Sequence, residues 1–173
     1  MTNTISLQSI NNFSQSNFVM ELGSIFEHSA WVAEQVYPLR PFDSVQRLHT
    51  LMKDIVNNAD KEQRKKLICN HPELAGKEAE AGELTADSKN EQAGAGLNNC
   101  SAEELQKLRK LNRQYLEKFD FPFANAVKKL TRYDILDAIE TRLQNSVDTE
   151  FDSCITEIAK IAEFRLNQLI TND

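Results

Sequence analysis

Leu105, Leu108, Leu111, Tyr115 and Phe119 follow one another at steps of three and four residues. That spacing puts five large apolar side chains on one face of a helix. The same step recurs along most of the chain. It links Phe18, Leu22, Ile25 and Phe26, continues at Trp31, Val32 and Val36, and returns in Val45, Leu48, Met52 and Ile55. Ile135, Ile139 and Leu143 repeat it, as does a last segment from about Thr149 that carries Phe151, Cys154, Ile155, Ile158, Ile161, Ala162, Leu166 and Leu169. A shorter helix is expected from Glu62 to Cys69, and no alternating strand pattern competes with these segments. Capping boxes mark helix starts at Ser101/Glu104 and, by spacing, at Asp43/Gln46, while Thr131 caps the segment behind it. Pro38 and Pro41 end the first apolar region, and the run Phe119-Asp120-Phe121-Pro122-Phe123 breaks the helix that begins near Ser101. Only five glycines and four prolines occur in 173 residues, and 40% of the residues are hydrophobic, enough for one core. The expectation is an all-α, single-domain multi-helix bundle over residues 1–173.

Charge and composition narrow the partners. The net charge is −6 with acids and bases interspersed, and the one basic cluster, Arg64-Lys65-Lys66, is too short to track a phosphate backbone. Nucleic acid is therefore excluded as the main partner. No stretch approaches the apolar length of a membrane span. The opening MTNTISLQSINN has neither the basic start nor the apolar run of a signal peptide, and Thr171-Asn172-Asp173 is not a peroxisomal address. Cys69, Cys100 and Cys154 form no CxxC pair, which fits reduced thiols in the cytoplasm. The three histidines are scattered, so no metal site is expected.

One stretch breaks the apolar rhythm. Residues 70–97 read NHPELAGKEAEAGELTADSKNEQAGAGL, with two leucines before Leu97 and four of the five glycines. It is either a connector, serving a non-catalytic helical interaction module, or the wall of a polar pocket. Thr85 is placed to cap a helix from which Ser88, Glu91 and Gln92 project at i, i+3 and i+4. His71 precedes Pro72, and a residue before proline is pushed out of helical geometry. His28 and His49 read as structural or exposed. Arg165 falls on or beside the stripe of Ile158, Ile161 and Leu169, where a guanidinium is costly unless paired. It either snorkels, meets an internal carboxylate, or clamps an anion or carbonyl; periodicity favours the first two. Together these residues supply an imidazole, a carboxylate, an amide, a hydroxyl and a guanidinium, suited to proton transfer on a polar heterocycle.

The pattern His71-Pro72-Glu73-Leu74-Ala75, then Leu84-Thr85, Ser88-x-x-Glu91-Gln92 and Ala95-Gly96-Leu97, resembles the signature of 2-oxo-4-hydroxy-4-carboxy-5-ureidoimidazoline (OHCU) decarboxylases. Leu7-Gln8-Ser9-Ile10-Asn11, Phe26-Glu27-His28-Ser29-x-Trp31-Val32-Ala33 and Arg40-Pro41-Phe42 resemble the family's N-terminal pattern. Lys118-Phe119-x-Phe121-Pro122-Phe123 and Ile161-x-x-x-Arg165-Leu166 resemble its C-terminal one. The resemblance implies an all-helical, cofactor-free homodimer that converts OHCU to (S)-allantoin in urate breakdown. It puts the catalytic residues at His71 and Glu91, and substrate-binding positions at Pro72, Ser88, Gln92, Phe119, Phe121, Ile161 and Arg165. Two positions depart from the family: Asp120 stands where glycine is usual, and Ala124 where a larger aliphatic residue is common.

Overall fold

Short oxygen-bearing side chains start most of the helices. Ser6, Ser14, Ser44, Asp60, Thr85, Ser101 and Thr131 each accept the backbone N–H three residues on, which satisfies one of the donors a helix start leaves bare. In the computed structural model, which describes residues 4–172, the elements run β1 (Ile5–Ser6), α1 (Leu7–Asn12), α2 (Gln15–Leu22), α3 (Trp31–Val36), α4 (Val45–Asn58) and α5 (Lys61–Cys69). They continue with α6 (Lys77–Ala81), α7 (Ala86–Gly94), α8 (Ala102–Phe119), α9 (Arg132–Arg142), α10 (Val147–Leu169) and β2 (Ile170–Thr171). The all-α expectation holds. The boxes at Ser101/Glu104 and Thr131/Asp134 are complete in both directions. The readings of the two chain ends fall partly on residues 1–3 and Asp173, which lie outside the described residues.

Three local expectations need correction. The cap of α4 is Ser44, whose Oγ accepts from Arg47 N at 3.0 Å, and not Asp43. α6 is a helix inside the polar stretch, ended by Gly82 at φ +71°, a left-handed position suited to glycine. And β1 pairs with β2 in parallel, Ile5 opposite Ile170 and Ser6 opposite Thr171, a contact across the length of the chain that no local pattern announces.

The chain packs as two compact units, residues 4–70 with 158–172 and residues 71–157, and α10 is continuous through the boundary in sequence. In the first unit, α2 packs on α3 and α3 on α4, burying Phe18, Leu22, Val32, Val36, Leu48 and Met52. Each such side chain contributes roughly 1.5–3 kcal/mol by leaving water. Arg40 ties the turn after α3 to α1: Nη1 donates to Asn11 O at 2.9 Å and Phe13 O at 2.8 Å, with the guanidinium 3.7 Å from the Tyr37 ring centre. Asn11 answers by pairing with both backbone groups of Phe42. The motif residues Asn11 and Arg40-Pro41-Phe42 thus do structural work. His49 is buried with Nε2 2.8 Å from Ala159 O, and His28 is exposed, as expected for both.

In the second unit α8 packs on α9, and the face of α8 meets an aromatic cluster. Tyr115 lies 4.5 Å from Phe119, 6.1 Å from Phe121 and 5.3 Å from Phe123, centre to centre, and Phe121 lies 5.8 Å from Phe151. Below it runs a polar network. Glu150, with no exposed surface, accepts from Tyr115 Oη at 2.6 Å, Arg142 Nε at 2.7 Å and Asn145 Nδ2 at 3.0 Å. Arg142 also donates to Ala124 O at 2.8 Å. Burial pushes the Tyr115 hydroxyl and the Cys154 thiol up, so both keep their protons. None of the three cysteines forms a disulfide. Among the described residues, no helix is long and apolar enough to cross a membrane.

Candidate active site

The segment that holds His71 has no helix or strand to satisfy its backbone. α5 ends at Cys69, and residues 71–76 form a bend and a turn closed by Gly76 N donating to Glu73 O at 3.3 Å. His71 is buried there, in the non-helical position its proline neighbour dictates. Side-chain amides take the place of a regular ladder. Ala75 N donates to Gln92 Oε1 at 2.9 Å, Gln92 Nε2 donates to Glu73 O at 3.4 Å, and Asn112 Nδ2 donates to Leu74 O at 2.9 Å. Ala75 has φ +50°, a region that L side chains rarely occupy, so this turn is held against a local preference. Gly76 is needed for space: a Cβ there would stand 2.6 Å from the Glu73 Cβ. Burial, then the neighbouring Glu78 charge, raises the Glu73 carboxyl above its ordinary range, against the lowering pull of Lys77.

α7 presents the next group. Thr85 is its cap, as the sequence implies, accepting from Ser88 N at 3.3 Å. Ser88 is 3% and Gln92 6% exposed, with Glu91 half-buried between them. A solvated connector would not bury its serine and glutamine. Residues 71–97 are a folded part of the second unit, where Ala75, Ser88, Gln92 and Ala95 are buried beside Leu74 and Leu97. Both polar ends of Gln92 bond backbone in the turn that follows Pro72, so it anchors that turn.

Phe119 and Phe121, read as pocket walls, belong to the aromatic cluster of the second unit and are almost fully buried, their rings stacked at 6.0 Å. Asp120 between them caps α8 at φ +63°, ψ 28°. That left-handed conformation is the reason glycine suits the position, and aspartate is among the residues that tolerate it. Ala124 is buried, its carbonyl held by Arg142.

Ile161 and Arg165 lie on the part of α10 that belongs to the first unit. Both are buried; Arg165 is 3% exposed. Its Nη1 donates to Glu27 Oε2 at 2.7 Å and to Ser24 O at 3.3 Å. Of the three readings of Arg165, the internal carboxylate is present, and Glu27 is that carboxylate. Asn70 Nδ2 holds the Glu27–Ser29 corner by donating to His28 O at 3.0 Å. The sequence reading missed Glu27, Asn112, Arg142 and Glu150. Asn112 interrupts the apolar face of α8, and that interruption was the available signal; Glu27 lies in the turn between α2 and α3 and, like Arg142 and Glu150, carries none.

A family model described as OHCU decarboxylase matches residues 11–167. A 2-oxo-4-hydroxy-4-carboxy-5-ureidoimidazoline decarboxylase of Haloferax volcanii is 38% identical over 169 residues, 98% of each chain. The uric acid degradation bifunctional protein PucL of Bacillus subtilis is 41% identical over 95% of this chain but only 33% of its own length, so the chain spans about a third of that relative. Among solved structures, an (S)-allantoin synthase aligns with a TM-score of 0.76 at 27% identity, over 95% of this chain and 54% of that one.

Proposed function

The chain belongs to the OHCU decarboxylase family, and on that premise we propose that it removes CO2 from 2-oxo-4-hydroxy-4-carboxy-5-ureidoimidazoline to give (S)-allantoin in urate breakdown. Loss of CO2 leaves an electron pair on carbon, and that pair needs a sink. The substrate carries one of its own, because the departing carboxylate sits on a ring carbon beside an imine. No separate electron-sink cofactor is called for. The protein's tasks are to orient the carboxylate, keep water away, and deliver one proton to one face of the ring.

His71 is assigned the general acid/base role at the reacting carbon, since an imidazole titrates near neutrality. Glu91 engages ring or ureido N–H groups and shares in proton movement. Ser88 and Pro72 contact the substrate, and Gln92 orients it, helped by its hold on the 73–75 turn. The Arg165 guanidinium, fixed by Glu27, has the planar donor set that suits carbonyl oxygens. Phe119, Phe121 and Ile161 supply apolar wall. The observation that carries the reading is the 71–76 turn: a buried histidine at the head of a turn strained at Ala75 and pinned by side-chain amides at residues 73–75, within the unit that also places Ser88 and Glu91 on α7.

The family match runs through both units, which supports one functional domain over 1–173. We extend the proposal to a homodimer working in the cytoplasm, testable by sedimentation and cell fractionation. The decisive assay generates OHCU freshly from urate and follows optically active allantoin by circular dichroism. The protein should accelerate its appearance over the spontaneous racemic route, and His71→Asn should abolish that gain. A His71→Asn protein with near-normal turnover would overturn the assignment.

A further inference from the structure

Asn112 sits in the middle of α8 on the face that buries Leu108, Leu111 and Tyr115, and is itself buried. An amide is a poor choice for such a face. Among the described residues, its Oδ1 finds no hydrogen-bond donor although it is shut off from water. A leucine would pack there without leaving an acceptor stranded. What the amide supplies is its Nδ2, which donates to the carbonyl oxygen of Leu74 at 2.9 Å. That carbonyl lies three residues beyond His71 and immediately before Ala75, the residue at φ +50°. Gln92 grips the same turn from α7 through Ala75 N and Glu73 O. Consecutive peptide groups are thus fixed from two helices, and a backbone conformation that alanine disfavours is held in place.

We propose that Asn112 is a positioning residue for the decarboxylation, acting through the Leu74 carbonyl to hold the turn that sets the placement of the His71 imidazole. The inference rests on the assignment of His71 as the acid/base group. Asn112 makes no contact with substrate in this role. Releasing the Leu74 carbonyl lets the turn relax toward ordinary backbone angles and moves the imidazole away from the reacting carbon. A displacement near 1 Å in a catalytic group costs on the order of 10²-fold in rate. Binding groups on α7 are untouched, so KM should stay within about threefold while kcat falls.

The test compares wild type with Asn112→Leu, which keeps the volume and loses the donor, and with Asn112→Ser, which stays polar but is too short to reach Leu74. Near-ultraviolet circular dichroism gives the folded fraction, OHCU decarboxylation gives kcat and KM, and 15N imidazole spectra, assigned with His71→Asn, report the His71 ring. The expected result is a fall in kcat on the order of 10²-fold, a nearly constant KM, and shifted His71 ring signals in folded protein. A folded variant with kcat within twofold of wild type, or with loss confined to KM, would overturn the inference. So would the failure of both variants to fold, which would make Asn112 a support of the fold alone. If His71→Asn itself keeps its turnover, the decarboxylase assignment falls; if it is inactive while the Asn112 variants keep kcat, only the positioning role falls.

Discussion

Removing the carboxylate of Glu27 should destabilise the protein far more than an ordinary charge change. The Glu27 and Arg165 side chains are 1% and 2% exposed and meet at 2.7 Å as a buried ion pair. Taking away one member of such a pair leaves the other charge in a medium that solvates it poorly, a loss of about 3–5 kcal/mol. Total stability is usually about 5–15 kcal/mol. At roughly 2–4 °C per kcal/mol for a chain of this size, the expected fall in Tm is roughly 6–20 °C. Glu27→Gln keeps shape and one acceptor and should sit toward the lower end, with Glu27→Ala toward the upper. Urea unfolding can be followed by Trp31, the only tryptophan, which lies in the same unit. Replacing both partners by apolar residues, Glu27→Leu with Arg165→Met, should recover at least half of the loss, because the cost lies in the stranded charge. A shift for Glu27→Gln no larger than the ~0.5 kcal/mol typical of surface substitutions would refute this account of the pair.

Other perturbations read other parts of the structure. Tyr115→Phe removes a 2.6 Å bond to the buried Glu150 carboxylate and should cost about 1.5–3 kcal/mol in urea unfolding. Asp120→Gly should leave stability within about 1 kcal/mol of wild type and retain decarboxylation, whereas Asp120→Val should lose a further 1–2 kcal/mol or so, since left-handed backbone penalises a branched side chain. Glu73 holds its proton more tightly in the folded protein than in the unfolded chain, because burial and then Glu78 raise its carboxyl. Stability from this group is therefore present at low pH and is lost as pH rises from the ordinary glutamate range through the raised one. Glu73→Gln should flatten that part of the curve, and urea midpoints between about pH 4 and pH 7 will show it; an unchanged slope would count against the burial of this carboxyl.

Much of the helical frame was legible because its cause is local. Neighbours in the stripe from Leu105 to Phe119, like Ser101 and Glu104 with their reciprocal bonds, lie about one turn from each other. Asp43 and Ser44 are both competent caps, and the choice between them is made by the path of the turn that Arg40 and Asn11 fix, which no spacing records. α6 has no apolar stripe, so periodicity had nothing to grip. The pairing of residue 5 with residue 170 is invisible for the opposite reason, since its two halves lie at the far ends of the chain. Family likeness supplied the candidate site residues, and Pro72 explained why His71 leaves the helix. The sequence could not show that Gln92 reaches for backbone, that Glu27 is the partner of Arg165, or that Asn112 holds the turn, because each of these depends on residues distant in sequence.

The short parallel seam between Ile5–Ser6 and Ile170–Thr171 has a topological consequence. Strands so paired run about 4.8 Å apart and in the same direction, so a connection from Thr171 back to Ile5 has to double back along the seam, on the order of a dozen residues, to turn the chain into a ring. Such a ring could be cut at the exposed Gly82, where a side chain would meet nothing within 4 Å, giving a permuted protein that starts and ends at a surface bend. A segment entering at Ile5 and one leaving after Thr171 thus lie at opposite ends of one two-residue seam, so a change to either strand loosens the anchorage of both.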